Sequence, residues 1–205
     1  MNDPREALAL LAARLYQRGW MRGTAGNLSV RLDDGSLWIT ASGQPKGELS
    51  VHDFVRVAER GEVLERGAPE AVPSAETHLH RTLYRLFPRT RACLHVHSIE
   101  ANLASRQCEG ASLRLPSLEM LKGLGIADEA PEVDLAVFEN HADVSRIAAE
   151  IHDRFSREPP RVPALLVRGH GTTAWGETLE RALSHLEQIE FLLDYWVRAR
   201  AGERP

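Results

Sequence analysis

Cysteine is scarce in this sequence. Cys93 and Cys108 are the only two among 205 residues, too few for a disulfide framework, so a fold must rest on a hydrophobic core. Cys93 lies in an apolar run and reads as a small buried hydrophobe. No apolar run is long enough to span a bilayer. Positive charge is not in excess either: 25 Lys and Arg stand against 29 Asp and Glu, a formal net charge of −4. That argues against the basic footprint of a nucleic-acid binder, while leaving room for local sites that hold a small anion. The opening residues Met1 to Glu6 are polar and lack the apolar segment of a signal peptide. Repeats, low-complexity tracts and a second-domain boundary are also lacking. These absences predict one domain over residues 1–205, in a reducing cytoplasm, with neither nucleic acid nor membrane as partner.

What is present centres on Cys93-Leu94-His95-Val96-His97-Ser98. Alternating apolar residues predict a buried strand over Thr90 to His97, on which residues two apart share a face. His95 and His97 then project side by side, close enough to hold one divalent cation. Taken alone, the pair also fits two histidines on a wet strand face. His78-Leu79-His80 repeats the spelling in another setting. Leu79, Leu83 and Leu86 give the segment from Ala75 to Phe87 a helical period, and on a helix residues two apart lie about 200° apart around the axis. These two histidines read as ordinary helix residues, of which one could face the site.

His170 stands between Gly169 and Gly171, just past the predicted core strand Pro163 to Val167. Flanking glycines let the backbone bend and aim one side chain inward. With His95 and His97 it gives three imidazoles and open coordination positions, as in a catalytic rather than a structural site. Two small-residue loops flank a predicted hairpin. Arg22 to Ser29 carries two glycines and Asn27, and Ala41 to Gly47 carries Ser42, Gly43 and Lys46. Their backbone amides, a hydroxyl and the lysine suit a phosphate, as opposite lips of one anion pocket. A plain turn and a solvated lysine are the alternatives.

Two glutamates complete the candidates. Ser74 reads as the N-cap of the helix through Phe87, and Glu76 in its first turn complements the helix dipole, which would explain it structurally. Glu119 sits in the apolar stretch Leu118 to Leu121. Burial there would raise its pKa and make it a better proton acceptor; the alternative is a surface glutamate beside Lys122. Helices are predicted over Pro4 to Arg18, Ser98 to Gln107, His141 to Phe155 and Glu177 to Ala199, with a polar tail from Arg200 to Pro205.

The motifs Thr24 to Ser29, Ile39 to Gly43, Ser74-Ala75-Glu76, His95 to Ser98 and Gly169-His170-Gly171 occur in the order and spacing of the class II aldolase/adducin family, which the chain resembles over nearly its whole length. Leu118-Glu119-Met120-Leu121-Lys122-Gly123 is similar to the signature of the branch that dehydrates methylthioribulose 1-phosphate in methionine salvage. The resemblance implies a three-layer α/β/α fold with a mainly antiparallel central sheet. It implies a homotetramer with sites near subunit interfaces, and one zinc ion per subunit held by His95, His97 and His170. It implies Glu119 as the catalytic base, with Glu76 as a second catalytic residue, and a phosphate pocket at Asn27, Ser42, Gly43 and Ser74. An aldolase or epimerase for another sugar phosphate is the alternative. A non-enzymatic scaffold of the adducin kind would lack the three histidines.

Overall fold

The computed structural model describes residues 3–128 and 132–202. Met1, Asn2 and the last three residues of the predicted tail lie outside that range. Among the described residues no helix is long and apolar enough to cross a membrane.

Among the described residues nine strands form one sheet: β1 (Asn27–Arg31), β2 (Leu37–Thr40), β3 (Phe54–Val57), β4 (Val63–Arg66), β5 (Ala92–Val96), β6 (Ser112–Arg114), β7 (Asp134–Phe138), β8 (Ala164–Val167) and β9 (Gly171–Gly176). Their order is β4-β3-β2-β1-β5-β9-β8-β7-β6. Every neighbouring pair is antiparallel except β7 and β8. Five helices cover it: α1 (Pro4–Gln17), α2 (Thr77–Leu86), α3 (Ile99–Gln107), α4 (Val144–Arg157) and α5 (Leu179–Gly202).

The period of two along β5 assigns the layers. Ala92, Leu94 and Val96 join one buried cluster with Leu8, Leu11 and Leu15 of α1, Ala101 and Ala104 of α3, and Leu186, Ile189 and Leu193 of α5. Cys93 faces the opposite cluster, with Leu79 and Leu83 of α2 and Ile147 and Ile151 of α4. Both faces of the sheet are thus covered, giving the expected three-layer α/β/α architecture. His95 follows Cys93 by two, so it points to the α2 side.

Helix starts shift from the expected positions where another residue supplies the cap. α4 begins at Val144, because the Asp143 carboxylate accepts from the Ser145 amide at 2.9 Å. α2 begins at Thr77, two residues after Ala75. Ser74 is not its N-cap: the Ser74 carbonyl accepts from the Thr77 amide at 3.1 Å, closing a turn over Ala75 and Glu76. Glu76 occupies the cap position but makes no side-chain capping bond. Its carboxylate is therefore free to turn toward β5.

Candidate metal centre

The site is built where the C-terminal end of β5 meets the start of β9. Gly171 opens β9 directly against β5, where a Cβ on it would lie 2.0 Å from the Val96 carbonyl oxygen. Only glycine lets the chain pass there, and the passage sets His170 beside His97. On the other side of β5, Gly26 has φ +80, and a Cβ on it would lie 2.7 Å from the His95 carbonyl oxygen. Asn27 follows and pairs with His95 in the β1–β5 register.

Four side chains converge. One ligating atom from each of Glu76, His95, His97 and His170 lies within 4.8 Å of all the others. His95 Nε2 is 2.9 Å from His97 Nε2. Glu76 Oε1 is 3.2 Å from His95 Nε2 and 3.0 Å from His170 Nε2. The three rings stand edge to face, with centroids 4.4 to 4.9 Å apart. The expected histidine triad thus comes together, and Glu76 joins it as a fourth donor.

The surroundings favour ligand forms. His95 Nδ1 lies 2.9 Å from Thr173 Oγ1; a proton held there leaves Nε2 bare toward the cluster, the usual arrangement behind a metal-bound imidazole. Burial, then the neighbouring His95 and His170, push His97 down to about 3, so it is a neutral imidazole at neutral pH. Burial works to raise the Glu76 carboxyl pKa. The charge of His95 and hydrogen bonds from His170 and His95 outweigh burial and hold the carboxylate well below its ordinary range. Asn27 Nδ2 donates to Glu76 Oε2, and Asn102 Nδ2 donates to the His170 carbonyl at 2.9 Å. Three imidazoles and a carboxylate gathered in this way could hold a divalent metal ion.

The second histidine pair divides. His78 is exposed and His80 fully buried. His80 Nδ1 and the Tyr84 hydroxyl each lie 2.7 Å from Ser29 Oγ. Burial first, then the charge of His95, bring His80 down to about 3. His80 is not one of the converging donors, but it is buried close enough to His95 to respond to it.

The proposed anion loops are tied together. Ala41 bridges Pro73, and the Ser42 amide donates to the Val72 carbonyl at 2.9 Å. Ser42, Gly43 and Ser74 therefore lie on neighbouring backbone segments, with Ser42 and Gly43 exposed and Ser74 half-buried. Lys46 and Asn27 depart from the expectation. Lys46 is not a solvated lysine that reaches out to phosphate: it is 1% exposed. Its Nζ donates to the Thr24 and Gln44 carbonyls, both at 2.8 Å, and clamps one loop to the other. Asn27 is buried with its amide nitrogen on Glu76, so it orients that carboxylate.

Of the two readings of Glu119, the structure shows the surface glutamate beside Lys122. It opens a short 3₁₀ helix, Glu119–Leu124, with its side chain 83% exposed and Oε1 2.7 Å from Lys122 Nζ. The expected burial is absent, because the apolar neighbour Leu121 points inward while Glu119 points out. It is not part of the donor cluster within its own chain. Size alone would not locate the site. A cavity of about 770 Å³ lined by Phe87, Thr90, Trp175 and Arg181 lies at the other end of β5 and β9, where Ala92 pairs with Gly176.

A family model described as Class II Aldolase and Adducin N-terminal domain matches residues 6–197. The chain belongs to the class II aldolase and adducin family. Within it, the chain is 55% identical over 199 residues to a methylthioribulose-1-phosphate dehydratase of Microcystis aeruginosa, covering 97% of each chain. It is 42% identical over 202 residues to a protein of the same name from Leptospira biflexa, covering 94% of this chain and 96% of the relative. Among solved structures, the L-fuculose-1-phosphate aldolase of Thermus thermophilus superposes with a TM-score of 0.76 at 28% identity, covering 98% of this chain and 97% of the other.

Proposed function

We propose that this chain is a metal-dependent lyase that removes water from 5-methylthioribulose 1-phosphate to give 2,3-diketo-5-methylthiopentyl 1-phosphate. The observation that carries the reading is the convergence of Glu76, His95, His97 and His170 beside the tied loops. The names of the relatives at 55% and 42% identity support the choice of substrate. Zinc, one per subunit, is the metal that this donor set suits best, held by the three histidines with Glu76 against two of them.

A divalent metal held there supplies a Lewis acid for the carbonyl end of the substrate. The chain's own residues do the rest. Ser42, Gly43 and Ser74 hold the phosphate, with the buried Lys46 ammonium behind them, and this anchoring orients the sugar chain. A base takes the proton from carbon 3, the hydroxyl leaves carbon 4 as water, and the enol tautomerises to the 2,3-diketone. Glu119 is the proposed base, for its place in the Leu118 to Gly123 segment. Since its carboxylate lies on the surface, it acts in the site of a neighbouring copy. Large apolar side chains left exposed support such an assembly: Ile99 and Leu103 on α3, Phe191 and Tyr195 on α5. Ile99 is two residues from His97. A homotetramer with shared sites is the assembly we propose.

The test is metal content and turnover of 5-methylthioribulose 1-phosphate, for the wild type and for Glu119→Gln. About one zinc per chain in both, with turnover lost only in the variant, is the expected result. Bound metal without turnover of this substrate by the wild type would move the function to an aldolase or epimerase using Glu76 for proton transfer. No bound metal would overturn the centre itself.

A further inference from the structure

Glu190 is a carboxylate where an apolar residue belongs. It lies on α5, four residues after Leu186 and three before Leu193, both fully buried. Glu190 itself is 2% exposed, and neither carboxyl oxygen has a hydrogen-bond partner of standard geometry. Burial raises its pKa to about 7, with the hydroxyls of Ser98 and Thr172 drawing it back down and Glu100 adding to the rise. Those two hydroxyls are the polar groups that face it. Thr172 Oγ1 is buried and also unpartnered. Ser98 Oγ accepts from the Ala101 amide at 3.0 Å, which leaves its proton free to donate.

The two hydroxyls stand at telling places. Ser98 follows His97 directly and caps α3. Thr172 is two residues after His170, on the strand that Gly171 opens. Neither Thr172 nor Glu190 has a structural reason to be polar: β9 is buried throughout, and an apolar side chain on α5 would pack there without a desolvation cost. Burying a carboxyl without well-formed hydrogen bonds costs stability. Such a group persists where a turn must be held in one position.

We propose that the Glu190 carboxyl joins the Ser98 and Thr172 hydroxyls from behind the sheet, and so fixes the two turns that present His97 and His170 to the metal. Glu190 is a positioning residue: it acts through the ligands. The bridge forms with the carboxyl ionised, accepting from both hydroxyls, or protonated, donating to one and accepting from the other. A glutamine can make the same bridge, with its amide nitrogen donating to one oxygen and its carbonyl accepting from the other hydroxyl. A leucine cannot.

This inference rests on the metal-centre reading, and the experiment separates the two. Zinc affinity is measured by competition with a chromophoric chelator for the wild type, Glu190→Gln and Glu190→Leu, together with the melting temperature of each metal-free protein. Glu190→Leu should weaken zinc binding by about 10–100-fold, the usual effect of losing an outer partner of a metal ligand. Its metal-free form should melt at the wild-type temperature or higher, since leucine packs there without the desolvation cost of a buried carboxyl. Glu190→Gln should bind zinc within about twofold of the wild type, as its bridge is intact. Wild-type zinc affinity in Glu190→Leu would overturn the inference. So would a loss of affinity matched by a lower melting temperature of the metal-free protein, or a Glu190→Gln variant that behaves like Glu190→Leu. Absence of zinc binding in the wild type would overturn the metal centre and the inference with it.

Discussion

The carboxylate of Glu76 stands 3.0 Å from Nε2 of His170. Contact between residues so far apart in sequence depends on the turn over Ser74 to Thr77 and on the pass of Gly171 beneath Val96. Glu76 makes no capping bond to α2, so no hydrogen bond to the helix holds its carboxylate there. The cluster does. The carboxylate brings negative charge to three imidazoles, which offsets the charge of a divalent cation.

Glu76→Gln keeps the shape of the side chain and an acceptor for Asn27, and removes the charge. Zinc affinity should fall by about 10–100-fold, read by chelator competition at constant pH. Unchanged affinity would mean that the contacts to His95 and His170 contribute nothing to metal binding.

Glu119 supports a sharper experiment. If it acts across a subunit boundary, Glu119→Gln and His97→Ala are each inactive, through different halves of a shared site. Glu119→Gln alone should cost about 10²–10⁴-fold in kcat, the span of a lost general base. Mixing the two variants under conditions that exchange subunits should restore a fraction of wild-type turnover, because some sites then receive an intact base and an intact triad. Mixtures no more active than their components would show that Glu119 serves only its own chain or none.

Lys46 ties the loops together from within. In Lys46→Met the stem is replaced by a side chain of similar length, and the Thr24 and Gln44 carbonyls lose their donor. Unpaired carbonyls cost about 1–3 kcal/mol each, and relief from burying an ammonium offsets part of that. A net loss of about 1–3 kcal/mol in urea unfolding is expected, together with a raised KM for a phosphorylated substrate. A raised KM with unchanged stability would instead make Lys46 a direct phosphate contact.

The strands and the histidine triad were legible because they follow short patterns, alternation along β5 and glycines at the bend around His170; the three layers followed from the family resemblance and not from any period. The carboxylates were not legible. An acidic residue in an apolar stretch is a fair sign of function, and that sign singled out Glu119. In the structure Glu119 is exposed in a 3₁₀ turn, where spacing of three or four does not assign a face. Glu190 satisfied the same criterion on the stripe of Leu186, Ile189 and Leu193 and is the one that is buried. Its helix is long and regular, so its period was the more reliable guide. Glu76 was hidden differently. Its position invited an explanation by the helix dipole, and only the turn after Ser74 shows the side chain directed elsewhere. The roles of Asn27 and Lys46 depend on contacts between loops distant in sequence, which no local pattern carries.

Glu190 also predicts a pH dependence with a definite sign. Its carboxyl titrates near 4.5 when exposed and at about 7 in the fold. A raised carboxyl pKa means that the folded protein holds a proton which the unfolded chain has released. The stability associated with that proton is fully present below about pH 4.5 and is lost as pH rises toward 7. The change is on the order of 3 kcal/mol over that window, at about 1.4 kcal/mol per pKa unit. Burial sets the shift, with Ser98 and Thr172 opposing it and Glu100 adding to it, and Glu190→Gln leaves the burial and all three groups in place. Every other group is the same in both proteins, so the difference between wild type and variant isolates Glu190. Urea unfolding of the metal-free proteins at pH 5 and pH 7.5 should show the wild type losing ground to Glu190→Gln at the higher pH. A difference that is the same at both pH values would mean that the carboxyl titrates as an ordinary glutamate, and that water or a partner group reaches it in the native protein.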